Sequence, residues 1–160
     1  VSHPSLGAPP RDETAGFPAD ATRLASDRAR IGRRALEIAL DRDPTLPERL
    51  GEEGLARLLR DTDILVERLA RSISADDPYF LREFADWVAP VYRRRRVPMD
   101  DLVALSNALR QAAASALSAE ARPSADRAID AALEVFRRHR RLAGDARRRN
   151  RILAAIYKGA

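Results

Sequence analysis

Residues 52–74 read EEGLARLLRDTDILVERLARSIS. Leu55, Leu58, Leu59, Leu65, Val66, Leu69 and Ile73 recur at steps of three and four, which gathers them on one face of an α-helix. Upstream, Leu24, Ile31, Ala35, Ile38 and Ala39 keep the same spacing over residues 21–42, with Asp20 placed to cap them. Asp43-Pro44-Thr45-Leu46-Pro47 ends that helix. Downstream, Asp76-Asp77-Pro78 supplies a cap and a first-turn proline for a helix carrying Phe80, Phe84, Trp87, Val88 and Val91 towards Arg96. Pro90 is expected to bend or divide it. Val97-Pro98-Met99-Asp100 opens a further helix that keeps its period through Leu102, Leu105, Leu109 and Leu117 to Ser118. The last, after Arg122-Pro123-Ser124, carries Ile129, Ala132, Leu133 and Phe136 to Leu142. No strand alternation and no fixed repeat interrupts this pattern, so the fold class is all-α.

The composition agrees. Glycine is sparse at 7 residues in 160, while Ala, Leu and Arg are abundant, and the length suits one domain with one core. Residues 1–20 hold Pro4, Pro9, Pro10 and Pro18 with Gly7 and Gly16, and read as a disordered leader. With no cysteine, disulfides, thiolate metal sites and thioether-linked cofactors are excluded. No apolar run has the length of a membrane span and the first residues do not resemble a signal peptide, which makes a cytoplasmic location the expectation. The net charge of +5 is uneven: residues 137–160 carry nine Arg or Lys against Asp145 alone, leaving twenty basic against twenty-three acidic residues before them. The domain body is therefore not basic. Residues 143–160 form a separate basic amphipathic extension, with Ile152, Leu153, Ile156 and Tyr157 beside Arg147, Arg148, Arg149 and Arg151.

Several of these positions, in order, resemble the phycobiliprotein branch of the globin superfamily, whose members hold linear tetrapyrroles. Leu58-Leu59-Arg60-Asp61 stands where the family shows Cys-Leu-Arg-Asp, and Ile64 and Arg68 follow where it carries Ile and Arg. The flanks agree at Ala35-Leu36, Pro44-Thr45-Leu46, Ala75-Asp76 with Leu81, Tyr92 with Pro98, Ala112-Ala113 and Phe136. The resemblance covers residues 30–142. It implies a globin-like, phycocyanin-like bundle of about six helices over residues 21–142. Leu58 replaces the pigment-tethering cysteine, so the resemblance points to tetherless relatives, the bilin-biosynthesis-associated globins. It implies a non-catalytic protein that takes a bilin or other tetrapyrrole non-covalently, as carrier or accessory to tetrapyrrole enzymes.

On a helical wheel Arg57, Asp61, Ile64 and Arg68 share a stripe beside the apolar face. Asp61 matches the family aspartate that accepts from pyrrole N–H groups, and Arg57, Arg60 or Arg68 would clamp propionates in bidentate pairs. Trp87 and Tyr92 on the next helix would supply an aromatic wall, with core packing the competing role for Trp87. The plainer reading of Arg57 and Asp61 is a solvated i,i+4 pair. Haem needs a proximal histidine, and only His3, in the leader, and His139, among arginines, exist. Asp61 and Asp63, two apart on a helix, point away from each other, and no phosphate loop or nucleophile set is present, so no catalysis is expected. Asp100 and Asp101 read as the start of a helix rather than as metal ligands.

A second reading is a ligand-free globin-like signalling module of the bacterial stress-sensor type, acting by protein contact. Partners under these readings are a tetrapyrrole, a pathway enzyme or acidic protein met through residues 143–160, or a second copy of the chain. Nucleic acid, bound through the basic extension, is the weakest of them, for want of a helix-turn-helix or interleaved aromatics.

Overall fold

A computed structural model describes residues 10–143, except for the side chains of residues 141–143. These residues form six α-helices and no strand: α1 (Pro18–Ser26), α2 (Arg28–Arg42), α3 (Leu46–Ala75), α4 (Tyr79–Arg94), α5 (Met99–Ala113) and α6 (Arg122–Ala143). No helix among the described residues is long and apolar enough to cross a membrane. The extension beyond residue 143, with its apolar edge and arginines, lies outside the described residues, as does His3.

The 52–74 stripe is the middle of the fold. Leu58, Leu65, Val66, Leu69 and Ile73 of α3 are all buried, and α3 is flanked by α1 and α2 on one side and by α4 and α6 on the other. Burying each such side chain contributes about 1.5–3 kcal/mol. Outside this axis α2 packs on α5 and α4 on α6. Arg127 pairs with Asp76 just before α4, and His139 meets Arg93 at its end, so α4 and α6 run parallel. Arg110 reaches Asp126 and Asp130 while Arg140 pairs with Asp100, so α5 and α6 run antiparallel.

Four local readings are corrected. The single helix expected over 21–42 is interrupted at Asp27, whose φ of −95° and ψ of 8° leave the helical basin and whose carboxylate takes Arg30 Nη2 at 2.6 Å. The 52–74 helix gains an N-terminal turn from Leu46, joined through Gly51 at φ 68° and ψ 174°, a conformation only glycine adopts readily. Pro90 does not split α4: it sits on the outer face one turn after exposed Asp86, where the helix can forgo one backbone hydrogen bond. The fourth helix ends at Ala113, and a 3₁₀ turn over Ala114–Ala116 leads to extended Leu117.

The leader reading also fails over residues 10–20. Gly16 N and Phe17 N donate to Ser74 O and Ile73 O at 2.8 and 3.0 Å, satisfying carbonyls at the α3 C-terminus. Glu13 takes Arg71 at 2.8 Å and its carbonyl accepts from Ser74 Oγ at 2.6 Å, while the Arg11 guanidinium lies over the Tyr79 ring. Asp20 does not cap α1. It lies in the first turn, buried, and turns inward to accept from Ser118 N at 2.7 Å and Ser118 Oγ at 3.1 Å. Burial would raise its pKa, but these bonds and Arg23 outweigh that and hold it below the usual carboxylate value. Pro10 and Pro18, which looked like signs of disorder, therefore flank a docked segment that closes one end of α3.

Gly16 makes this docking feasible, since a Cβ there would lie 2.5 Å from both Asp76 N and Ile73 O. Gly16→Ala is expected to lower stability by about 1–3 kcal/mol. Chemical denaturation would show the lower midpoint, and limited proteolysis would show faster cleavage near residue 12.

Candidate functional site

Asp61 and Tyr92 meet. The Tyr92 hydroxyl donates to Asp61 Oδ2 across the α3–α4 contact, with the tyrosine buried and the aspartate half-buried. Burial first, then the hydrogen bond to Asp61 and its charge, hold the Tyr92 proton far more tightly than in an ordinary tyrosine, while Arg95 and Arg57 pull weakly the other way. Two more contacts set the register of this helix pair: Leu81 N donates to Ser72 Oγ at 3.2 Å, and the Arg71 guanidinium lies 4.5 Å from the centre of the Phe80 ring. The helices are thus antiparallel, each step forward on α3 matching one step back on α4. That register carries Ile64 and Arg68, one and two turns on from Asp61, along the same side of α3 as the Tyr92 contact.

The other candidates fall as follows. Arg57 Nη2 bonds Glu53 at 3.0 Å, the plain i,i+4 arrangement but with a different partner from the one the sequence suggested. Arg60 is exposed and has no partner among the described residues. Arg68 is half-buried, and its Nε is buried without a hydrogen bond. Leu58, at the position of the family's cysteine, is buried in the core. Asp63 points away from Asp61, as helix geometry requires, towards α2, where its Oδ1 lies 2.7 Å from the Cβ position of Gly32. Trp87 does not pack in the core: 66% of it is exposed, tilted beside Phe84 with ring centroids 5.9 Å apart. Ile64 is 36% exposed. Along the α3–α4 groove, then, Asp61 and Tyr92 are in contact, Ile64 and Arg68 share the α3 stripe of Asp61, and Trp87 is exposed on α4, while Arg57 lines the adjoining cavity and Arg60 faces solvent.

A cavity of about 250 Å³ adjoins this groove, lined by Arg49, Leu50, Gly54, Arg57, Tyr92 and Arg95, Arg96, Val97 and Pro98. Sites for drug-sized ligands occupy roughly 300–1,000 Å³. An enclosed pocket for a whole open-chain pigment therefore does not fit here, and an open seat along the groove is the arrangement the residues allow. Two other hollows, of about 530 and 320 Å³, lie by α1 and by the α5–α6 junction, and none of the seven candidate residues lines them.

Sequence reasoning missed Arg49, Arg95 and Arg96. The signals were Gly51, which bends α3 so that Arg49 and Leu50 turn towards Arg57, and the four-arginine run 93–96 ahead of Pro98. Arg49 is 26% exposed and joins Asp101 at 2.7 and 3.2 Å and also Asp43, locking the α3 start onto α5. Arg96 closes α4: its N–H bonds Arg93 O at 2.9 Å and Val97 N bonds Tyr92 O at 3.0 Å, with Arg96 itself left-handed at φ 58°. Glycine is the usual residue at that closing position, and an L side chain there costs about 1–2 kcal/mol.

His139 is half-buried on α6, with Nδ1 3.4 Å from Arg93 Nη1.

No protein-family model matches this chain, and no curated protein does. Among the described residues, the fold and its surfaces define an all-helical, six-helix domain with an exposed tryptophan on α4 and a four-arginine cavity where α3 meets the α4–α5 connection.

Two outcomes follow from these contacts. Tyr92→Phe removes the donor held by half-buried Asp61 and is expected to cost about 1–2 kcal/mol in equilibrium unfolding. Partial burial, then Arg93 and Arg138, lower the His139 pKa from 6.5 against the opposing pull of Asp86. The unfolded chain therefore binds this proton more readily, and stability falls as pH drops below about 6.5. His139→Gln should flatten that part of the pH–stability curve, and an imidazole midpoint above 6.5 by NMR would contradict the assignment.

Proposed function

We propose that this chain is a non-catalytic interaction module of the globin-like, stress-sensor type, read by a protein partner through the α3–α4 groove. The observation that carries this is Trp87. A large aromatic side chain two-thirds exposed, with Ile64 36% exposed on the neighbouring helix, contributes little to the domain's own core, and tryptophan is among the residues that anchor protein interfaces. The surrounding charges suit a polar rim around such an anchor. The small adjoining cavity and the hydrogen bond that already occupies Asp61 favour contact on this face over an enclosed ligand.

The second reading is non-covalent binding of a bilin or related tetrapyrrole along the same groove. It is favoured by the meeting of Asp61 and Tyr92, with Ile64 and Arg68 one and two turns along α3 from that contact. On this reading Asp61 accepts from pyrrole N–H groups after exchanging its tyrosine partner, Arg68 and Arg57 face propionates, and the Trp87 ring stacks on the conjugated system.

The two readings part at position 87, which holds the chain's one tryptophan. On the first, a photocrosslinking side chain placed there gives one discrete protein adduct in the producing cell, lost on Ile64→Glu, and added biliverdin leaves the Trp87 emission of purified protein unchanged. Saturable quenching with a visible absorbance band that Asp61→Asn removes, and no adduct, would instead establish the pigment reading and defeat the first.

A further inference from the structure

The cavity where bent α3 meets the α4–α5 connection carries more positive charge than the fold uses. Of its four arginines only Arg49 is consumed structurally, by Asp43 and Asp101. Arg57 is paired with Glu53, a carboxylate 89% exposed and so easily released to water. Arg95 and Arg96 have no carboxylate within ion-pair distance among the described residues, although both line the cavity. Arg96 stands where glycine would close the helix with less strain, so the guanidinium is held there against the backbone preference. Arg57 and Arg95 are near enough to the buried Tyr92 hydroxyl for their charge to act on it. Gly54 leaves one wall without a side chain, and Leu50, Val97 and Pro98 make another apolar.

We propose that this cavity binds a small organic phosphomonoester, with Arg57, Arg95 and Arg96 on the phosphate and Leu50, Val97 and Pro98 against the organic part. Phosphate carries close to two negative charges and three acceptor oxygens, which matches several guanidinium forks better than a single carboxylate does. A volume of about 250 Å³ suits a ligand below drug size. The site is independent of the interaction-module reading, because Trp87 and Ile64 are not among its walls, although it shares Arg57 and Tyr92 with the pigment reading.

Calorimetric titration of the whole chain with phenyl phosphate, and with benzoate as the carboxylate counterpart, tests the proposal in sodium chloride of matched ionic strength. Saturable binding is expected for phenyl phosphate, about tenfold or more tighter than for benzoate. Arg57→Gln and Arg95→Gln should each weaken it about tenfold, whereas Arg60→Gln and Trp87→Ala, both outside the cavity, should not. Arg96→Gly separates binding from folding: it relieves the left-handed arginine, so the Tm should rise while affinity falls. Equal affinity for phenyl phosphate and benzoate, binding that disappears at matched ionic strength, or an Arg96→Gly variant that binds like the parent would overturn the proposal.

Discussion

Burial of one stripe on α3 is the constraint from which the rest of the fold follows. A 30-residue helix carrying Leu58, Leu65, Val66, Leu69 and Ile73 on one side cannot stand alone in water. The chain covers it from two directions, with α1 and α2 on one flank and α4 and α6 on the other. Because those flanks belong to chain segments on either side of α3, the residues next to its apolar stripe become edges of grooves. Asp61 looks towards α4, while Asp63 looks towards α2. Helical periodicity and two-sided packing thus decide which polar side chains of α3 can act together.

The ends of α3 show how local geometry prepares surfaces. At its C-terminus, residues 13–17 donate backbone and accept side-chain hydrogen bonds that would otherwise go to water, and this requires the bare Cα of Gly16. At its N-terminal side, Gly51 takes a conformation closed to other residues and swings Arg49 towards Asp101. The same bend brings the start of α3 to the closing turn of α4, so that arginines far apart in sequence share one cavity. The left-handed backbone at Arg96, which ends α4 as the left-handed Asp76 ends α3, belongs to this junction.

Charge has two different roles in the molecule. Ion pairs within one helix, such as Arg34–Glu37 and Arg82–Asp86, join exposed partners and contribute little. Among the contacts that tie distant segments together, three withdraw a polar group from water: Asp20 to Ser118, Arg49 to Asp101, Tyr92 to Asp61. In these the acceptor or donor is largely withdrawn from water, so losing one partner leaves the other poorly solvated. These links hold α1 against the α5–α6 junction, the start of α3 against α5, and α3 against α4.

The apolar periods at residues 52–74, 80–91, 102–117 and 129–136 were enough to establish an all-helical chain, because period is a property of neighbours three and four apart. The same local logic predicted that Asp61 and Asp63 diverge and that Asp100 and Asp101 open a helix. It could not show that Trp87 faces outward, since a residue at the edge of an apolar stripe is buried or exposed according to what packs beside it. Nor could it reveal that prolines near the start accompany a docked segment, or that Arg49, Arg57, Arg95 and Arg96 gather around Tyr92. Those facts depend on how the helices pair and on the backbone turns at Gly51 and Arg96. Packing between segments far apart in the chain is set by mutual burial and backbone satisfaction, which no short window of residues contains.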